Sequence, residues 1–185
     1  NEVIWFYPSE DSSEIDRYVT YNYLENVWSI GTTDDGFTRT AWIEAESLDY
    51  PLSAGKTSGS NTNYLYNQEK GHSSDGSEFT SYIESSDFDL NPDGERLMFL
   101  SKLIPDVEFR DQDTTDDTVT FTIKGRNYPL GTLSTLQTVD VTPESTFTNL
   151  RARSRHAAIR ISNTSINYGW RVGDLRLEIR PDGKR

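Results

Sequence analysis

The sequence predicts an all-β protein built of antiparallel β-meanders, with the final blade or blades of a β-propeller followed by a small β-sandwich-like domain. Three observations predict this. Stretches that alternate polar and apolar residues recur from the first residues to the last, and a period of two puts successive side chains on opposite faces of a pleated strand. Breaks rich in Gly, Asp, Ser and Pro separate these stretches at short intervals. No heptad, helical stripe or long Ala/Leu/Glu/Lys segment competes with them.

The chain opens on residues 3–7 (VIWFY), a β-branched and aromatic run. Residues 8–16 (PSEDSSEID) form a polar loop. Residues 17–32 (RYVTYNYLENVWSIGT) read as a β-hairpin, because two alternating runs flank the short break Leu24, Glu25, Asn26. Asp35-Gly36 offers the positive φ of a tight turn before residues 40–45 (TAWIEA). Together these runs predict a four-stranded antiparallel meander. Trp5, Tyr7, Tyr18, Tyr21, Tyr23, Trp28 and Trp42 carry more aromatic surface than so small a sheet buries against itself. Further sheets are therefore expected to stack on it, as blades do in a propeller. Since residue 1 already lies at a strand, earlier blades are expected to precede it or to come from another polypeptide.

Residues 50–63 (YPLSAGKTSGSNTN) are rich in Ser, Gly, Thr and Asn and read as an exposed loop. Residues 64–71 and 78–90 are the next two strands, completing a first region at 1–90. The second region spans 91–185. There residues 96–104 (RLMFLSKLI) alternate imperfectly, which leaves a short helix open, but their length and β-rich surroundings favour a buried strand, ended by Pro105-Asp106. After an acidic loop at 111–117, the run 118–124 (TVTFTIK) sets Val119, Phe121 and Ile123 on one face and three threonines on the other. Residues 136–141 form another strand. Residues 147–161 put Arg151, Arg153 and Arg155 on the same parity as Ala157, Ile159 and Ile161. One strand face does not change from charged to apolar without a bulge or a change of sheet, expected here near His156. In residues 170–180, Leu175, Leu177 and Ile179 face inward against Arg176, Glu178 and Arg180.

Thirty acidic and 18 basic residues give a net charge of −12, unevenly spread. From Arg151 onward nine Lys/Arg stand against three Asp/Glu, a net of +6, so residues 1–150 carry −18. An acidic body repels nucleic acid, while a basic strand pair docks on an acidic partner. The mean hydropathy is −0.70, and no apolar run approaches the roughly 18 residues that span a bilayer. Without cysteine there is no disulfide, thiolate metal site or cysteine nucleophile.

Signatures of catalysis or metal binding do not survive counting. Gly55-Lys56-Thr57 resembles the end of a phosphate-binding loop, but Tyr50 stands where that loop needs its first glycine. Asp89, Asn91, Asp93 and Gly94 match the first half of a calcium loop whose twelfth position is Leu100 in place of Glu. His72 and His156 lie far apart without zinc-ligand spacing, and no GxSxG elbow is present. The expectation is no catalytic residue, no cofactor and no metal. Tyr64, Tyr66 and Tyr82 are candidates for stacking on sugar rings, which keeps a carbohydrate-binding β module as the alternative function.

The blocks YVTYNYLENVWSIG, RTAWIE, LYNQEKG, SYIESSDFDL and WRVGDLRLEIRPDGKR resemble the C-terminal part of tail hub or nozzle proteins of short-tailed bacteriophages, including packaged-DNA-stabilising tail proteins. The resemblance implies a structural, non-enzymatic virion subunit. It implies copies arranged in a ring, usually sixfold, between the portal and adaptor and the distal tail proteins. Double-stranded DNA would pass through the lumen without sequence-specific binding. Contacts around a ring join two different surfaces. The basic arginines Arg151, Arg153, Arg155, Arg176 and Arg180 are the interface candidates.

Overall fold

The structure, a computed structural model, describes residues 1–33, 37–57, 62–90, 96–111 and 117–183. All regular elements among them are strands, all paired antiparallel, and no sheet closes on itself. The chain divides into two compact units, Asn1–Gly71 and His72–Arg185.

The first unit holds β1 (Glu2–Tyr7), β2 (Arg17–Asn22), β3 (Val27–Thr32), β4 (Phe37–Ile43), β5 (Leu52–Thr57) and β6 (Asn63–Asn67). The hairpin of β2 and β3 forms as the sequence predicts, with Asn26 at a positive φ of 55° in its turn. The four-stranded meander does not. β1, β2 and β3 make one three-stranded sheet, while β4 leaves it to pair with β5 in a second sheet of order β4-β5-β6.

The reason lies in β5, inside the stretch expected to be a loop. Ser53 sits between Trp42 and Tyr66 in register and is buried. Its small size makes room for two large rings, and Gly55 is likewise buried between Arg39 and Tyr64. The Ser53 hydroxyl is satisfied by Gln68 Nε2 at 2.7 Å, and Gln68 Oε1 in turn accepts from Arg39 Nε at 3.2 Å. Small polar residues here serve packing, which composition alone reads as loop. Asp35-Gly36 lies outside the described residues.

The second unit begins at residue 72, earlier than the boundary after residue 90 that the sequence suggests. β7 (Ser81–Glu84) explains the shift, because it pairs with β13 (His156–Asn163), and Phe88 bridges Ala157. Between them in chain order come β8 (Met98–Ile104), β9 (Val107–Arg110), β10 (Val119–Arg126), β11 (Ser134–Val141) and β12 (Thr148–Ser154); β14 (Gly169–Val172) and β15 (Arg176–Pro181) follow. A four-stranded sheet runs β11-β10-β13-β7, a three-stranded sheet runs β12-β8-β15, and β9 pairs with β14.

One hydrophobic core joins the two larger sheets. Val119, Phe121 and Ile123 enter it from β10, Ile159 and Ile161 from β13, Met98, Leu100 and Leu103 from β8, and Leu150 and Ala152 from β12. The three inward positions of β10 are those the alternation assigns. The change of sheet expected near His156 occurs there: β12 ends at Ser154 beside β8, and β13 starts at His156 beside β10. The last predicted strand is two strands in different sheets, with Leu177 and Ile179 packed against the core as expected.

Candidate interaction surfaces

The sheet of β1, β2 and β3 is apolar on both sides. Its register places Ile4, Phe6, Tyr18 and Thr20 on one face. That face meets the second sheet, where the Trp42 ring lies 5.3 Å from Phe6. The Tyr18 ring lies across Gly31, where a Cβ would collide with it. The opposite face carries Val3, Trp5, Tyr7, Tyr21, Trp28 and Ile30. It is largely open to water, with Trp28 60% and Ile30 78% exposed. Trp28 stacks on Tyr21 at 4.4 Å between ring centroids and on Trp5 at 6.0 Å. Both neighbours come from strands on the same side of β3.

The second sheet repeats this arrangement. With Trp42, Ser53 and Tyr66 facing inward, the alternate positions Ile43, Leu52, Ala54 and Leu65 face the other way. Ile43 is 56% and Leu65 76% exposed. The first unit therefore has two layers with an aromatic interior and an apolar face on each outer side. The aromatic excess of β1 to β3 announced the first of these faces. The second was missed because residues 52–57 read as a loop; the alternation of Leu52 with Ser53 and Ala54 with Gly55 was the available signal.

In the second unit the structure gathers four of the five candidate arginines on one sheet face. Arg151 and Arg153 alternate with the buried Leu150, Ala152 and Ser154 of β12, so they point outward. Arg176 and Arg180 point outward from β15, and Arg153 and Arg180 both lie opposite Phe99 of β8. Lys102 joins them, its ammonium 4.9 Å from the centre of the Phe147 ring. Arg155 is set apart in the one-residue link between β12 and β13. Arg153 pairs with Asp182, and Arg180 with Glu178. The Arg180 guanidinium beside it holds the Glu178 carboxyl below its usual range. Arg151 and Arg176 have no carboxylate partner among the described residues.

The outer face of the other large sheet is polar and internally paired. Lys124 Nζ donates to both carboxylate oxygens of Glu84, at 2.8 and 2.7 Å, and Arg160 Nη1 donates to Glu84 Oε2 at 3.3 Å. The Arg160 guanidinium lies 3.8 Å over the Tyr82 ring. Hydrogen bonds from Lys124 first, then its charge and those of Arg160, lower the Glu84 pKa.

His72 Nε2 lies 3.1 Å from Asp111 and His156 Nδ1 3.6 Å from Asp89, two separate pairs. Among the described residues no group of three or more His, Asp or Glu is placed to hold a metal ion. Gly55, Lys56 and Thr57 lie in β5, without the helix a phosphate loop needs. Asn91, Asp93 and Gly94 of the calcium-like run, and residues 112–116 of the acidic loop, lie outside the described residues. Among the described residues no helix is long and apolar enough to cross a membrane. Compared with known proteins, the chain matches no family model and no curated protein sequence.

Proposed function

We propose that the chain is a structural subunit of a short-tailed bacteriophage tail hub or nozzle, a ring that forms the DNA exit channel and helps to retain the packaged genome. The observation that carries this reading is the pair of apolar outer faces on the first unit. A sheet that is apolar on both sides belongs inside a stack of layers. Blades of a propeller have that property, since each is covered on both flanks. On this reading β1 to β6 are parts of blades. The second unit is a β-sandwich whose two sheets enclose one core.

The attribution to a phage tail rests on the sequence blocks that resemble such proteins, and the physical character of the chain supports it. A net −18 over residues 1–150 disfavours phosphate contacts that would slow a passing duplex. The outward arginines of β12 and β15 suit the heterologous contact that a ring requires, one basic surface against an acidic neighbour. Portal or adaptor above, distal tail proteins below and DNA within the lumen complete the set of partners. No catalytic role is assigned to any residue.

Mass photometry of the native protein, alone and mixed with its tail partners, tests this. A closed ring of several copies is expected; a monomer under every condition overturns it. A carbohydrate-binding module is the second reading, favoured by Trp28. Its indole stacks on Tyr21 and Trp5 and is still 60% exposed, which leaves ring surface for a sugar to stack on. Glycan-array binding that disappears in Trp28→Ala would select this alternative.

A further inference from the structure

A depression of about 300 Å³ opens in the second unit where the end of β13 and the start of β7 meet β14. Its walls are mostly rings: Phe79, Tyr82, Tyr168, Trp170 and the imidazole of His72. Phe79 and Tyr82 are exposed at its rim. No Asp, Glu, Lys or Arg lines it among the described residues.

The deeper groups are tied to one another and hold the walls in place. Trp170 Nε1 donates to Ser81 Oγ at 2.8 Å, which joins β14 to β7. The Tyr168 hydroxyl donates to the Thr118 carbonyl at 2.6 Å and accepts from Asn163 Nδ2 at 2.9 Å. His72 is fixed at two points. Its Nε2 lies 3.1 Å from Asp111, and the ring edge that carries Cε1 and Nδ1 lies against Gly169. A Cβ on Gly169 would come within 2.8 Å of Cε1, so only glycine lets the imidazole close this side. With Nε2–H donating to Asp111, Nδ1 presents a lone pair. Nδ1 has no hydrogen-bond partner among the described residues, and the His72 side chain is 29% exposed. Tyr82 is held by the Arg160 guanidinium 3.8 Å over its ring, and its hydroxyl makes no hydrogen bond among the described residues.

We infer that this depression binds one neutral sugar ring, a hexopyranose residue of a glycan. The volume is at the small end for ligand sites, room for a single ring. A pyranose has an apolar C–H face, which the aromatic walls receive, and a rim of hydroxyls, which His72 Nδ1 and the Tyr82 hydroxyl meet as acceptor and donor. A phosphate or carboxylate would enter without a counter-charge in the lining, at a desolvation cost. A purely apolar occupant would cover His72 Nδ1 without satisfying it. The site uses neither Trp28 nor the assembly proposed above.

The test titrates the full chain with glucose, galactose, mannose, N-acetylglucosamine, glycerol and p-cresol in turn, following the indole Nε1–H resonances of Trp170 and Trp28 by NMR. At least one hexose is expected to shift the Trp170 resonance saturably, and glycerol is not. Tyr82→Ala should weaken that binding about tenfold, the loss of one aromatic contact. Gly169→Ala displaces His72 and should weaken it as well, in a chain whose circular dichroism is unchanged. The inference is overturned if no hexose saturates the Trp170 shift, or if p-cresol alone does, which would mark a pocket for an aromatic side chain. Saturation at Trp28 with Trp170 unmoved would place the sugar on the first unit and overturn it too. So would hexose binding that is unchanged in both folded variants.

Discussion

Glu84 is the residue on which the polar face of the second unit turns. It accepts from Lys124 and Arg160 across the β7–β13–β10 surface, so one carboxylate balances two cations. Glu84→Gln should destabilise the second unit by about 1 kcal/mol in denaturant titration, the usual worth of a partly exposed charge-assisted bond. Because folding lowers the Glu84 pKa, its contribution is present above the unfolded value and lost as pH falls through the folded one. Wild-type stability should therefore decline on acidification below the ordinary glutamate range, and the Gln variant should show a shallower decline. Gly125 makes a different demand. A Cβ at that position would approach Leu136 Cδ1 to 2.5 Å, so Gly125→Ala should cost about 1–3 kcal/mol by overpacking. The arginines were legible as outward-facing by parity alone. Their partners were not: the pairing of Arg153 with Asp182 depends on chain return, which no local pattern encodes.

At the scale of the strand, alternation succeeded where one face is buried and the other wet. β10 is the clearest case, with Val119, Phe121 and Ile123 fully buried against outward threonines. Phe121→Ala should cost about 3–5 kcal/mol, read as a fall in the denaturation midpoint at constant slope. The parity conflict around His156 was an equally physical signal, because a strand that changes its buried set needs a bulge or a change of sheet, and here it changes sheet. What parity could not tell was pairing. β3 and β4 follow one another in sequence yet belong to different sheets, since the partner β4 requires is the small-residue strand β5. β9 was also missed, being four residues long and following the Pro105-Asp106 break. For the exposed face of β1 to β3, replacing Trp28 and Ile30 with serine should leave the fold intact by circular dichroism and reduce self-association.

Across the whole molecule, sequence established strand content and the concentration of positive charge toward its end. The boundary between units escaped it, because β7 joins a sheet whose central strands lie far along the chain. Long-range pairing of that kind leaves no local mark. Arg151 and Arg176, which have no carboxylate partner among the described residues, are the most available cations of the basic face. Arg151→Glu combined with Arg176→Glu should shift wild-type assemblies toward smaller species at physiological salt, as sedimentation velocity would measure. Raised salt should weaken wild-type assembly in the same direction.

The two open faces of the first unit also bear on when it becomes durable. Six strands share a thin aromatic interior while much of their apolar surface remains in water, whereas the second unit encloses a continuous core of its own. Before any neighbour arrives, the first unit should open more often and be cut sooner by a protease added in small amounts. In the proposed assembly its rate of digestion would then act as a clock for maturation: rapid in newly made chains, slow once neighbours cover both flanks.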